Sequence, residues 1–208
     1  TYGNDTITGG AGTDTLNGAS VGANTTVTFT NGSGNFNSSG GNASFNTIET
    51  ITTGAGDDVI NAAGNTAAGA TFNTGAGSDT ITGGSAAENI DAGDGNDQIN
   101  LGASYGNDTI AGGAGTDTLN GAAVTANATV TYTNGGGSFN STAGNAGFTG
   151  IETLTTGSGN DVINASANTA TGVTFNTGAG SDTITGGTVA ETIDAGDGND
   201  QINLGVSY

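Results

Sequence analysis

The sequence contains no Lys, Arg, His, Cys, Met, Pro or Trp in 208 residues. Without Lys or Arg there is no basic surface to neutralise phosphates, which removes nucleic acid as a partner. Without His, Cys and Lys there is no Ser–His pair, no thiolate, no Schiff base and no His-ligated zinc. Zero Cys also means that no disulfide exists from which a redox compartment might be read. No apolar run is long enough to span a bilayer, so membrane insertion is not expected. The lack of Pro leaves every backbone N–H available for strand pairing.

What is present is acid and glycine. Nineteen Asp and Glu give a formal charge of −19, and 42 residues are Gly. Leu, Ile, Val and Phe together number only 34. Low aliphatic content with high net charge is the composition of a disordered chain. Internal repetition argues otherwise.

Residue i matches residue i+103 without gaps at 81 of 105 possible positions. The chain therefore divides into tandem copies, 1–104 and 105–208, with Tyr2, Tyr105 and Tyr208 at successive starts. No linker-like composition separates the copies, so they are expected to form one continuous structure within a longer array. Inside each copy, Gly-x-Gly-x-Asp ends at Asp14, Asp58, Asp79 and Asp97, then at Asp117, Asp161, Asp182 and Asp200. A degenerate member, Gly32-Ser33-Gly34-Asn35-Phe36, keeps the glycines and loses the acid, as does its copy before Phe139. With it included, the steps are 22, 22, 21, 18 and 20 residues, suggesting five coils per copy.

An apolar series, Ile7, Phe29, Ile51, Phe72, Ile90 and Ile110, advances by the same steps, followed nine residues later by Leu16, Ser38, Ile60, Ile81 and Ile99. Segments such as Asp79-Thr80-Ile81-Thr82 alternate as half-buried strands do. Strands this short need neighbours, and parallel stacking ~4.8 Å apart would pair their backbones and bury the Ile/Phe ladder. Each coil then has a constant edge, carrying the Gly-x-Gly-x-Asp turn, and a variable edge carrying Asp5, Val27, Glu49, Ala70, Glu88 and Asp108. Carboxylates recurring ~5 Å apart along the constant edge would repel by ~3 kcal/mol per pair at an effective dielectric of ~20. No cationic side chain relieves this. Bound cations would, and all-oxygen surroundings favour calcium over transition metals or magnesium.

Gly9-Gly10-Ala11-Gly12-Thr13-Asp14-Thr15-Leu16-Asn17 and its copy at residues 112–120 resemble the RTX, or haemolysin-type, calcium-binding nonapeptide G-G-x-G-x-D-x-U-x. The resemblance implies a right-handed parallel β-roll or β-solenoid, here about five coils of 18–22 residues per 103-residue repeat. It implies several Ca2+ ions held by the motif Asp and the turn carbonyls of consecutive coils. Carried over, the ligands are Asp58, Asp79, Asp97 and Asp117 with Gly54, Gly56, Gly75, Gly77, Gly93, Gly95, Gly113 and Gly115. In the second copy they are Asp161, Asp182 and Asp200 with Gly157, Gly159, Gly178, Gly180, Gly196 and Gly198. Asp14 would pair with a preceding coil. Glu88 and Asp108, with Glu191, are weaker candidates on the variable edge.

Phe36 and Phe139 depart from the pattern and are expected to plug their turns with apolar surface in place of an ion. The longer loops at 21–26 and 45–48 suggest wider or three-sided coils. The expected function is structural: a calcium-binding repeat of a bacterial extracellular filament, surface layer or adhesin, folding and assembling on calcium. Its partners would be further copies of itself or a cell-surface polysaccharide. The resemblance implies export by a type I-like route. Two other readings remain. Thr6/Thr8, Thr28/Thr30, Thr50/Thr52 and Thr71/Asn73 form ranks like those of ice-binding solenoids, interrupted by Asn89/Asp91. A polysaccharide-modifying enzyme is the remoter one, since a base and cationic clamps are missing.

Overall fold

A computed structural model describes residues 1–67, 69–170 and 172–205. All regular structure among these residues is β: two eleven-stranded sheets packed face to face. The alternating segments behave as their pattern requires. In the strand Thr80–Thr82, Ile81 is fully buried while Thr80 and Thr82 are half-buried on the outer face. Parallel neighbours align Ile60, Ile81, Ile99, Leu119, Leu154 and Phe175 in one sheet. The other sheet aligns Ile51, Phe72, Ile90 and Ile110. Each of these is at most 2% exposed, and burying such a side chain contributes about 1.5–3 kcal/mol. The result is a thin two-sheet core, as the apolar ladder predicts.

The sheets are not parallel throughout. In the first copy the strands begin β1 (Gly3–Thr8), β2 (Thr15–Asn17), β3 (Thr25–Thr30), β4 (Ser33–Ser38), β5 (Gly41–Asn46), β6 (Thr50–Thr52) and β7 (Val59–Asn61). β3, β4 and β5 form an antiparallel meander within one sheet, and its outer members pair in parallel with β7 and β1. The turn from β3 to β4 is Asn31-Gly32, with φ of 50° and 82°. Two consecutive positive φ values mark the tight hairpin turn that Asn-Gly favours. The Asn31 side chain anchors this turn, its Oδ1 accepting from the N–H of Thr66 and of Ala67, both at 2.9 Å. Asn134-Gly135 repeats the arrangement in the second copy, in the opposite sheet.

The meander changes the coil count. Of the eleven strands in the first copy, three form a single passage, leaving nine crossings between sheets per copy. Each copy therefore makes four and a half coils rather than five. An odd number of crossings starts the second copy in the other sheet: β1 lies in one, and its equivalent Asn107–Ala114 in the other. Both sheets run across the boundary between copies, with Ile90 paired to Ile110 and Ile99 to Leu119.

Several expectations change accordingly. Gly34 and Phe36 lie within β4, and Phe36, 3% exposed, packs edge-to-face on Tyr2 with centroids 6.0 Å apart. Phe139 packs likewise on Tyr105, at 5.8 Å. Both are core residues of the meander, not plugs in an ion-binding turn. The tyrosines thus pack within their own copies; Tyr208 lies outside the described residues. Ile7 and Phe29 belong to the sheet opposite Ile51, and Ser38 ends a hairpin strand. The lengthened loops feed the meander, and no third sheet is present among the described residues. The threonine ranks also divide, with Thr6, Thr8, Thr28 and Thr30 on one face and Thr50, Thr52 and Thr71 on the other.

Candidate metal centres along two edges

Each Gly-x-Gly-x-Asp turn carries the chain from one sheet to the other and sets its Asp immediately before the next strand. The Asp side chain points inward, at the same register position in successive coils. On one edge the N–H of Asp58 donates to Asp79 Oδ1 (2.7 Å), that of Asp79 to Asp97 Oδ1 (2.8 Å) and that of Asp97 to Asp117 Oδ1 (2.8 Å). On the other edge Asp161 donates to Asp182 (2.7 Å) and Asp182 to Asp200 (2.9 Å). The five adjacent pairs expected from the spacing are therefore brought together. They lie in two seams on opposite edges, because the half-coil in each copy exchanges the edges.

The glycines make this stacking possible. Gly77 and Gly95 have φ of 138° and 146°, a region that L side chains resist. A Cβ on Gly77 would strike the carbonyl oxygen of Gly56, and one on Gly95 that of Gly77. The same relation joins Gly180 to Gly159 and Gly198 to Gly180. Turn carbonyls thus form a column beside each column of carboxylates.

Hydrogen bonds relieve the buried charge only in part. Asp79, Asp97, Asp117, Asp161 and Asp182 are each at most 2% exposed. One oxygen of each accepts a backbone N–H, while Oδ2 of Asp14, Asp79, Asp97, Asp117, Asp161 and Asp182 is buried without a partner. Burial raises the pKa of Asp79, Asp117 and Asp161 and pushes Asp97 up to about 6, with neighbouring carboxylates adding to the effect. A buried carboxylate oxygen without a partner is costly, and a bound cation would remove that cost. Among the described residues no three acidic side chains converge on one point. Each seam position offers one or two carboxylates, and backbone carbonyls would complete the coordination. All-oxygen, carbonyl-rich surroundings suit calcium.

Glu88 and Asp108 also meet, the Glu88 N–H donating to Asp108 Oδ1 at 2.9 Å. Burial pushes Glu88 up to about 7 and Asp108 to about 6. Both Glu88 oxygens accept hydrogen bonds, from Asn65 Nδ2 (2.7 Å) and the Gly84 N–H (3.2 Å). Glu191 is held alike by Asn168 and Gly187. Asp14 also has a partner on its other side, its N–H donating to Glu49 Oε2 at 2.9 Å. Asp117 bonds likewise to Glu152 at 3.0 Å. Glu152 extends the Asp58–Asp117 seam, Glu49 stands beside Asp14 at the start of the opposite edge, and neither was among the expected ligands. Their signal is present: Glu49-Thr50-Ile51-Thr52 repeats the pattern of Asp79-Thr80-Ile81-Thr82 with one methylene added.

The family model for the RTX calcium-binding nonapeptide repeat (4 copies) matches residues 1–20, 45–65, 67–99, 101–123, 146–169 and 176–206. The chain belongs to this family of calcium-binding repeats. The two longest unmatched stretches, 21–44 and 124–145, contain most of the two antiparallel meanders, so the RTX pattern stops where the parallel coils stop. No curated protein matches the chain. RTX repeats bind Ca2+, and several matched segments imply several ions. They are typical of secreted bacterial proteins, which agrees with an extracellular location. The unpartnered Asp Oδ2 atoms fit that ion: they are hard oxygens, paired through the seam and without a competing cation.

Proposed function

We propose that this chain is a calcium-stiffened structural segment of an extracellular bacterial assembly, such as a filament, surface layer or long adhesin. Carrying the proposal is the row of buried, unpartnered carboxylate oxygens along both edges of a body whose sheets run from one copy into the next. Low cytoplasmic calcium would leave the acidic chain expanded by self-repulsion. Millimolar calcium outside would neutralise the seams and stack the coils. Export by a type I-like route accords with that sequence of events. Asp58, Asp79, Asp97 and Asp117 on one edge, and Asp161, Asp182 and Asp200 on the other, would hold the ions with neighbouring turn carbonyls. The ions supply positive charge that the sequence lacks. Near-identical copies would present identical surfaces to further copies of the same chain, or to a repeating cell-surface polysaccharide. Electron microscopy with and without calcium tests this: extended, associating particles are expected with calcium and none in chelator. Monomeric particles in both conditions would refute the assembly role.

A further inference from the structure

Glu152 lies outside any Gly-x-Gly-x-Asp turn; the residues before it are Thr149-Gly150-Ile151. It nevertheless takes the place of a seam aspartate. The Asp117 N–H donates to Glu152 Oε2, as the Asp97 N–H donates to Asp117 Oδ1. The Asp117 carbonyl in turn accepts from Glu152 (3.0 Å) and Thr153 (2.9 Å). Asp117 is 0% exposed; its Oδ1 is engaged and its Oδ2 has no partner. Beside that oxygen, the lack of a side chain on Gly112 lets the next coil approach closely. A Cβ there would meet both Asp117 Oδ2 and the carbonyl oxygen of Gly150. Two oxygens from successive coils therefore lie close together. In the first copy, a Cβ on Gly9 would meet Asp14 Oδ2 and the Thr47 carbonyl.

We infer that Asp117, Glu152 and the Gly150 carbonyl hold a divalent cation, and that Asp14, Glu49 and the Thr47 carbonyl hold another. The first site extends the Asp58–Asp117 seam one coil beyond the nonapeptide pattern, the second lies at the start of the opposite edge, and the inference rests on the calcium reading of the seams. Hard oxygen ligands give calcium as the ion. The longer Glu side chain reaches Asp117 from a connection, 150–152, that lacks the Gly-x-Gly pair. Asp117 and Glu152 are 35 residues apart, and the chain between them builds the whole antiparallel meander. An ion shared by the two clasps the ends of that excursion, so the meander orders together with the last ion of its seam.

The test counts ions by native mass spectrometry on the whole chain at fixed free calcium. The variants are Glu152→Gln and the double variant Glu49→Gln with Glu152→Gln. Gln retains an oxygen for the Asp117 N–H while removing the charge. One ion fewer is expected in the single variant and two in the double, with β-sheet circular dichroism retained at saturating calcium. Unchanged counts and calcium midpoints would overturn the inference and leave the seams intact, whereas a wild-type chain binding no ion would overturn the seam reading itself. Should Glu152→Gln fail to fold, terbium luminescence serves instead. The Tyr132 hydroxyl donates to the Ile151 carbonyl at 2.6 Å, beside Glu152, and the first copy has Phe29 at that position. Tyr132→Phe is then expected to lose much of the tyrosine-sensitised terbium emission, and undiminished emission would overturn the inference.

Discussion

Asp97 and Asp117, twenty residues apart and in different copies, meet through a 2.8 Å hydrogen bond from the N–H of the first to the carboxylate of the second. The acid that crowds its neighbour is therefore also the acceptor that fixes the neighbour's backbone. Geometry is set by the protein, and charge must be balanced from outside. Chelation above pH 7, where the seam carboxylates are charged, is expected to abolish the β-sheet circular dichroism and added calcium to restore it. Magnesium at equal concentration should restore less, because it demands a tighter octahedron and keeps its waters.

Asp79 has seam neighbours on both sides, whereas Asp5 is exposed in β1. Asp79→Asn should disturb two ions, raising the calcium midpoint and costing about 1.5–3 kcal/mol at saturating calcium, the scale of hydrogen bonds to charged groups. Asp5→Asn should stay within about 0.5 kcal/mol of wild type. Equal effects in calcium titrations of the two variants would contradict this placement.

Without calcium, acid should stabilise the fold. Burial raises Glu88 to about 7 and Asp97 and Asp108 to about 6 in the folded chain, against ordinary carboxylate values when unfolded. The folded state then holds protons that the unfolded state has released. Stability in chelator should rise as the pH falls through 7 and 6 toward the ordinary carboxylate range, and be lowest above 7. Protons and calcium compete for the same oxygens, so calcium affinity should fall over the same interval. Thermal melts at pH 5 and pH 8, each with chelator and with calcium, distinguish the two trends.

Gly77→Ala should cost at least about 1–2 kcal/mol, since the backbone conformation disfavours a side chain and the Gly56 carbonyl occupies its space. Ala76→Ser, at its exposed neighbour, should change stability little. Denaturant titration in saturating calcium compares them.

Phe36→Ala should cost about 3–5 kcal/mol, as expected for truncating a buried aromatic, with the number of bound ions unchanged. A change in ion count with little loss of stability would instead mean that Phe36 stands in for a ligand.

The parallel coils were legible because Gly-x-Gly-x-Asp and the Ile ladder share one spacing, and strands that repeat at one spacing can stack only in one register. That spacing misled at Gly32-Ser33-Gly34-Asn35-Phe36. The glycines there match the turn motif, but Asn31-Gly32 is itself a hairpin signal, and it reverses the chain at the first glycine of the expected turn. A 22-residue step is the same whether a coil closes or doubles back, so periodicity alone gave five coils. Glu49, which the spacing puts on the variable edge, and Glu152 carry little ligand signal because no glycine pair precedes them; only the following Thr-x-Thr marks their register.

The half-coil left over in each copy has a consequence for any partner. At about 4.8 Å per strand, and eleven strands per sheet over two copies, successive copies advance about 26 Å while turning their outer faces about. Under the assembly role proposed above, a ligand that recognises one copy would find the next equivalent foothold on the reverse side, and further copies would return it to the original side only after about 53 Å. Such a polymer would have no front and back: it could be gripped from both sides at once, which would favour planar lattices over one-sided coats.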